Sequence, residues 1–117
     1  MIDEATFRRE SDKALNDLKQ SLIAAEETFD AAEEPPFEFE DNNGVMNILF
    51  SDGSSKFVVT PNTPIAQVWI SAQSTSYKLE WSEEQNAFVL LKTGEALKPL
   101  TQRLLREHLR DDSITLP

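Results

Sequence analysis

The sequence predicts an α+β fold in which two helices cover one face of an antiparallel sheet of roughly six strands. Near both ends of the chain, apolar residues recur at three- and four-residue steps, as they do on amphipathic helices. Between them lie short segments of alternating polarity, separated by turns rich in Gly, Asn, Asp and Ser. Strands joined by short turns pair antiparallel, and two one-sided helices on the same sheet face complete a two-layer sandwich.

The first helix is predicted to begin at Asp3 or Thr6, either of which can cap it, and to run for about six turns. Acidic residues near its start suit the positive end of the helix dipole. The dipeptide Pro35-Pro36 ends any helix that reaches it. The apolar stripe of this first helix consists of Phe7, Ser11, Ala14, Leu18, Leu22, Ala25 and Phe29.

Six strands are predicted between residues 37 and 91. Phe37-Glu38-Phe39-Glu40 alternates as a half-buried strand should. Asn43-Gly44 is the strongest short hairpin signal, and residues 61–64, with two prolines, predict a stiff loop. The predicted strands are 37–40, 45–50, 56–60, 66–72, 76–81 and 87–91.

The last helix is predicted to follow Thr93-Gly94-Glu95. Leucines dominate its apolar stripe from Leu97 to Leu109, and Pro99 falls in its first turn, where the missing N–H costs no helical bond. We expect residues 111–117 to be frayed. The whole chain is therefore expected to form a single domain over 1–117, with an ordered core of about 3–110.

Composition excludes several classes of function. The 117 residues contain no cysteine and one histidine, which rules out disulfides, zinc–thiolate sites and cysteine nucleophiles. No apolar run approaches the ~20 residues of a membrane span. The first residues have neither the apolar core of a signal peptide nor the acid-poor composition of a transit peptide.

Most of the net charge of −10 lies in the first third of the chain. Residues 1–41 hold 13 Asp/Glu and 4 Lys/Arg, whereas residues 42–117 hold 8 and 7. Such a surface repels nucleic acid and attracts cations and basic partners, although acidic residues also serve solubility alone.

Trp69 is the candidate centre of a protein-binding surface. On the strand 66–72, Val68 and Ile70 are expected to face the helices, so Trp69 falls on the opposite, open face of the sheet. An exposed aromatic residue among polar neighbours has the composition of a binding hot spot. A buried tryptophan is the alternative that strand alternation argues against. The predicted surface consists of Asn62, Gln67, Trp69, Ser71 and Lys78.

These segments resemble the frataxin family, in particular its bacterial CyaY-type members, over almost the whole chain. The densest match is Asn62-Thr63-Pro64 followed by Gln67-Val68-Trp69-Ile70-Ser71. Asn43-Gly44-Val45-Met46 is similar to the family's entry into the second strand. Tyr77-Lys78-Leu79-Glu80-Trp81 is similar to the strand that follows the tryptophan motif, and Gly94 with Leu97 to the start of the second helix.

The resemblance implies a role in iron–sulfur cluster assembly. Family members bind iron weakly on a carboxylate ridge of the first helix and first strand. They also dock on the cysteine desulfurase and the scaffold protein, as iron donors or regulators. The resemblance further implies a mostly monomeric protein with iron-dependent oligomers, in the bacterial cytoplasm or, for a processed eukaryotic chain, the mitochondrial matrix. It implies neither a nucleic-acid nor a membrane partner.

Residue chemistry agrees with an iron-binding ridge. Without cysteine or paired histidines, Fe²⁺ or Fe³⁺ must bind through oxygen ligands, and carboxylates suit hard cations. A surface cluster concentrates cations without a preformed cage, so binding should be weak and exchangeable. Each acid could equally be a solvated bystander. The candidate ligands are Asp12, Asp17, Glu26, Glu27, Asp30, Glu33, Glu34, Glu38, Glu40 and Asp41.

Two other functions stay open at this point. A ferroxidase or iron-storage protein would use the same acids, but fast oxidation needs a paired-metal site of the Glu-x-x-His type, which the sequence lacks. An acidic interaction domain without a physiological metal is the second. His108 lies on the apolar face of the last helix and is expected to pack rather than to bind a ligand. Ser54 is expected to have no histidine partner, so no catalytic residue is assigned.

Overall fold

The computed structural model describes residues 2–28, 35–42 and 44–117, in which two helices pack on one face of a seven-stranded sheet. The helices are α1 (Glu4–Glu27) and α2 (Leu97–Leu109), and a short 3₁₀ helix spans Thr63–Ile65. The strands are β1 (Phe37–Asn42), β2 (Val45–Phe50), β3 (Phe57–Asn62), β4 (Gln67–Ala72), β5 (Thr75–Ser82), β6 (Ala87–Leu90) and β7 (Glu95–Ala96). All neighbours pair antiparallel in chain order, which confirms the predicted fold class.

Helix α1 begins where the sequence places its cap. The Asp3 carboxylate accepts a 2.7 Å hydrogen bond from the Thr6 backbone N–H, which satisfies one of the free donors of the first turn. Its buried residues, including Phe7, Leu18 and Leu22, follow the predicted stripe. Phe29, the last residue of that stripe, lies outside the described residues.

Helix α2 begins at Leu97 without a side-chain cap, because Ala96 stands at the capping position. Pro99 falls in the first turn, as predicted. No helix in the described part of the chain has the length and apolar character that crossing a bilayer requires.

The core lies between the two helices and one face of the sheet. Val68 and Ile70 of β4 and Leu79 of β5 are fully buried there, as strand alternation predicts. Trp81 is partly buried against this core and contacts Phe88 edge-on, with 5.2 Å between ring centroids. The inward faces of β4 and β5 therefore have the expected apolar residues.

The sheet differs from the prediction at three places. Strand β1 extends to Asn42, and β3 continues through Pro61 and Asn62, so the predicted loop shrinks to the 3₁₀ helix. The seventh strand, β7, was not predicted, because two residues are too few to show alternation. It pairs with β6 through Val89↔Ala96 and Leu90↔Glu95.

The expectation that residues 111–117 are frayed is wrong. Ile114 and Leu116 are buried, with exposures of 4% and 6%. The Arg106 side chain donates a 2.6 Å hydrogen bond to the Ile114 carbonyl, and the Leu116 N–H donates to the Gln102 side chain at 2.9 Å. The segment is irregular, but its alternate side chains complete the core.

Candidate functional site

The predicted metal ligands lie on two neighbouring elements, α1 and β1. On α1, Asp12, Asp17 and Glu27 are exposed and Glu26 is partly buried. The predicted ligands on β1 are all exposed: Glu38, Glu40 and Asp41. The remaining predicted ligands, Asp30, Glu33 and Glu34, lie outside the described residues.

Two of these carboxylates are ion-paired with lysines. Asp17 lies 2.8 Å from the ammonium group of Lys98, and Asp41 lies 3.3 Å from that of Lys19. These contacts tie α1 to α2 and to β1. The sequence showed the acids but not their partners, because the paired residues are 81 and 22 positions apart in the chain.

Asp12 and Asp41 are brought to one shallow groove of about 240 Å³ between α1 and the β1–β2 hairpin. Lys19 also lines this groove, and its pairing with Asp41 places a positive charge among the acids. Within residues 2–28, 35–42 and 44–117, no three Asp, Glu or His side chains are grouped closely enough to hold a metal ion.

Trp69 lies on the open face of the sheet, partly exposed, between Thr60 on β3 and Lys78 on β5. Its indole N–H donates a 2.8 Å hydrogen bond to the Gln67 side chain. The Lys78 ammonium lies 4.9 Å from the centroid of the indole ring, within cation–π range. These contacts fix the ring orientation and leave part of its face accessible.

The other predicted residues of this surface adjoin Trp69. Gln67 pairs with Asn62 on β3 and with Glu80 on β5, and Ser71 is exposed opposite Ser76. The sheet therefore brings Asn62, Gln67, Trp69, Ser71 and Lys78 together on one face, on three neighbouring strands.

His108 packs as predicted, but its polar contact was missed. Its ring lies 4.0 Å from that of Phe50 and 5.2 Å from that of Phe57, measured between centroids. Its Nε2 lies 2.7 Å from the Ser54 hydroxyl. The expectation that Ser54 has no histidine partner is thus wrong, since β2 and β3 bring residues 54 positions apart into contact.

This contact does not have the order of a serine-hydrolase triad. The Asp52 carboxylate accepts hydrogen bonds from the Ser54 hydroxyl, at 2.5 Å, and from the Ser54 N–H, at 2.9 Å. The hydroxyl bond is the main cause that lowers the pKa of Asp52 below its ordinary value. In a triad the carboxylate orients the histidine, whereas here it holds the serine. The arrangement stabilises the β2–β3 turn against α2.

Known proteins similar to this chain agree with the geometry. The family model described as a frataxin-like domain matches residues 1–111. The iron–sulfur cluster assembly protein CyaY of Pseudomonas entomophila is 27% identical over 84 residues, covering 72% of this chain and 74% of that protein. Mitochondrial frataxin of Caenorhabditis elegans is 25% identical over 114 residues, covering 97% of this chain and 82% of that protein.

A solved structure of frataxin from Psychromonas ingrahamii, of the CyaY protein family, superposes with a TM-score of 0.73. It is 9% identical in sequence, and the superposition covers 93% of each chain. At 9% identity the superposition shows only that the fold is shared. Membership of the family rests on the family model. The chain belongs to the frataxin-like family.

Proposed function

We propose that this protein binds iron as cargo for iron–sulfur cluster assembly and docks on the cysteine desulfurase and scaffold complex as donor or regulator. The observation that carries the proposal is the frataxin-like match over residues 1–111. The name of the Pseudomonas entomophila relative supports the pathway. We extend the proposal to a mostly monomeric protein acting in the bacterial cytoplasm, or in the mitochondrial matrix for a eukaryotic chain.

The acids of α1 and β1 are the proposed iron-binding face. Oxygen ligands suit a hard cation, and clustered surface carboxylates concentrate cations without a preformed cage. Lys19 competes for Asp41, so a cation in the groove must displace the ammonium group or bind beside it. Binding is therefore weak and exchangeable, as delivery of a cargo ion requires.

The Trp69 surface is the proposed docking face. Its ring is held in place by Gln67 and Lys78, so a partner finds an ordered aromatic platform rather than a mobile one. Preorganisation of this kind lowers the entropic cost of association.

Titration with Fe²⁺ under argon, followed by backbone amide NMR, tests the iron-binding face. We expect broadening and shifts centred on residues 12–41 and on neighbours in space such as Met46 and Lys98, because paramagnetic iron acts mainly on nearby nuclei. The absence of any change up to millimolar iron would contradict iron binding. Oxygen uptake in a separate titration in air-saturated buffer tests the ferroxidase alternative, and we expect a rate no faster than that of free iron.

A charge-neutralised variant sharpens the test. We expect Glu26→Gln, Glu27→Gln, Asp30→Asn and Glu38→Gln together to weaken iron and desulfurase binding several-fold. Stability should stay the same or rise, since self-repulsion is relieved. The matched control removes four acids outside α1, β1 and the other proposed binding surfaces, Asp52→Asn, Glu84→Gln, Glu107→Gln and Asp112→Asn. Equal loss in both variants would show a general charge effect instead of a binding face.

A further inference from the structure

Two large apolar side chains are exposed in the described part of the chain, Ile65 at 46% and Leu91 at 67%. They come from separate segments, the 3₁₀ helix before β4 and the turn after β6. Both line one open groove of about 430 Å³, together with Ile2, Ala66 and Trp81. Single exposed apolar residues are ordinary, whereas two that converge on one concave surface offer an occupant a shared apolar contact.

Acidic residues complete the lining of this groove. Glu80 lies on β5 and Glu83 in the turn that follows, and neither forms an ion pair within the described residues. Lys92 is exposed next to Leu91 but does not line the groove. An occupant therefore meets apolar side chains beside two carboxylates that no cation of the described chain neutralises.

We infer that this groove binds an extended segment of a partner protein that inserts a large apolar side chain and places Lys or Arg beside Glu80 and Glu83. Charge complementarity selects this occupant. A second copy of the chain would bring another net charge of −10 to the same acids, and nucleic acid would add phosphates. A basic, apolar segment alone matches both parts of the lining.

The groove adjoins the Trp69 surface where Glu80 lies opposite Gln67, but its exposed apolar residues belong to neither proposed surface, so the inference does not rest on the proposed function. Ile65, Glu83 and Leu91 are neither candidate iron ligands nor neighbours of the indole ring. If iron binding or Trp69 docking failed its test, the groove would remain a proposed binding site. If the peptide failed to bind the groove, the proposals for iron binding and Trp69 docking would be unaffected.

The test uses a fluorescein-labelled heptapeptide of alternating lysine and leucine, titrated with the full chain at about 0.15 M salt, where long-range attraction is screened. A peptide with serine in place of leucine separates charge from apolar contact. We expect the leucine peptide to bind at least tenfold more tightly than the serine peptide. With ¹⁵N-labelled protein, amide shifts should centre on residues 65–66, 80–83 and 91.

Two double variants test the apolar and the acidic residues of the groove separately. Ile65→Ser with Leu91→Ser should weaken the leucine peptide about tenfold, and Glu80→Gln with Glu83→Gln about fivefold. The matched control Glu107→Gln with Asp112→Asn removes the same charge from exposed positions outside the groove and should change the affinity less than twofold. Thermal melts monitored by circular dichroism establish that each variant folds.

Three results would overturn the inference. The first is equal binding by both peptides, and the second is equal affinity across all variants. The third is a concentration-dependent dimer that Leu91→Ser abolishes, seen by sedimentation velocity, because the occupant would then be a second copy.

Discussion

At the scale of single residues, Trp69 offers the sharpest test of the docking face. We expect Trp69→Ala to weaken binding to the desulfurase or scaffold by about tenfold or more, as hot-spot aromatics do. The free energy of unfolding should fall by only about 1 kcal/mol, because the ring is partly exposed on the open face. Calorimetric binding and urea unfolding measure the two quantities.

Leu79→Ala is the matched control on the neighbouring strand. Leu79 is fully buried beneath the helices, so its truncation should cost about 2–5 kcal/mol. A comparable loss of stability in Trp69→Ala would show that the indole belongs to the core. Unchanged partner affinity would remove Trp69 from the docking face.

For single residues, the predicted side of the sheet was confirmed where the alternation along one strand was enough to predict it. The polarity of Gln67, Trp69 and Ser71 follows from alternation along β4, which needs no knowledge of other elements. The Ser54–His108 contact depends on how α2 crosses the β2–β3 hairpin. No local pattern encodes that crossing, so the contact could not be read from the sequence.

At the scale of elements, an ion pair holds the second turn of α2 to β7. The Glu95 carboxylate accepts hydrogen bonds from Arg103 Nε at 2.7 Å and from Arg103 Nη2 at 2.9 Å. Ala96 provides no side-chain cap, and this two-point contact instead joins β7 to the second turn of the helix through side chains. Short elements of this kind depend on tertiary contacts, which is why β7 gave no sequence signal.

This pair predicts a pH dependence with a definite sign. The Arg103 hydrogen bond is the main cause that lowers the pKa of Glu95 below its ordinary value of 4.5. The folded state therefore prefers the ionised carboxylate, and the contribution is present above pH 4.5 and lost as the pH falls through the lowered pKa. We expect Glu95→Gln to cost about 0.5–1 kcal/mol at pH 7 and less near pH 3, below the ordinary pKa of 4.5.

Urea unfolding of both proteins at the two pH values measures that difference. The ¹³C shift of the Glu95 carboxyl group gives its pKa directly, and Arg103→Gln should raise that pKa towards 4.5. A stability difference that is constant with pH would show that Glu95 acts through packing rather than charge.

At the scale of the whole molecule, charge and packing divide the protein into distinct surfaces. The acids of α1 and Asp41 of β1 lie along the junction of helix and sheet. Glu38 and Glu40 alternate with the inward Phe37 and Phe39, so they lie, like Trp69, on the face of the sheet opposite the helices. The sequence located the acidic third of the chain, because charge is a property of composition. It did not show that Lys19 and Lys98 pair with Asp41 and Asp17, since those contacts arise only from packing.

The segment 111–117 joins both helices and completes the core. Ser21 of α1 donates a hydrogen bond of 2.5 Å to the Pro117 carbonyl oxygen, and Lys98 of α2 donates to the same oxygen at 2.9 Å. Ile114 and Leu116 are buried in the same core cluster as Leu18 and Leu104. The sequence did not indicate this role, because polar residues precede both Ile114 and Leu116.

We expect Ile114→Ala with Leu116→Ala to lower the free energy of unfolding by about 3 kcal/mol or more, because each truncation leaves a cavity in the core. Urea unfolding followed by tryptophan fluorescence and circular dichroism measures the loss.

Thr115→Ala is the matched control, since this exposed side chain lies between the two, and it should change stability by no more than about 0.5 kcal/mol. Equal stability of the double variant and the control would show that the segment lies on the surface without supporting the fold. Binding at the Trp69 face should persist in the double variant at temperatures where it remains folded, because that face is built by β3, β4 and β5 alone.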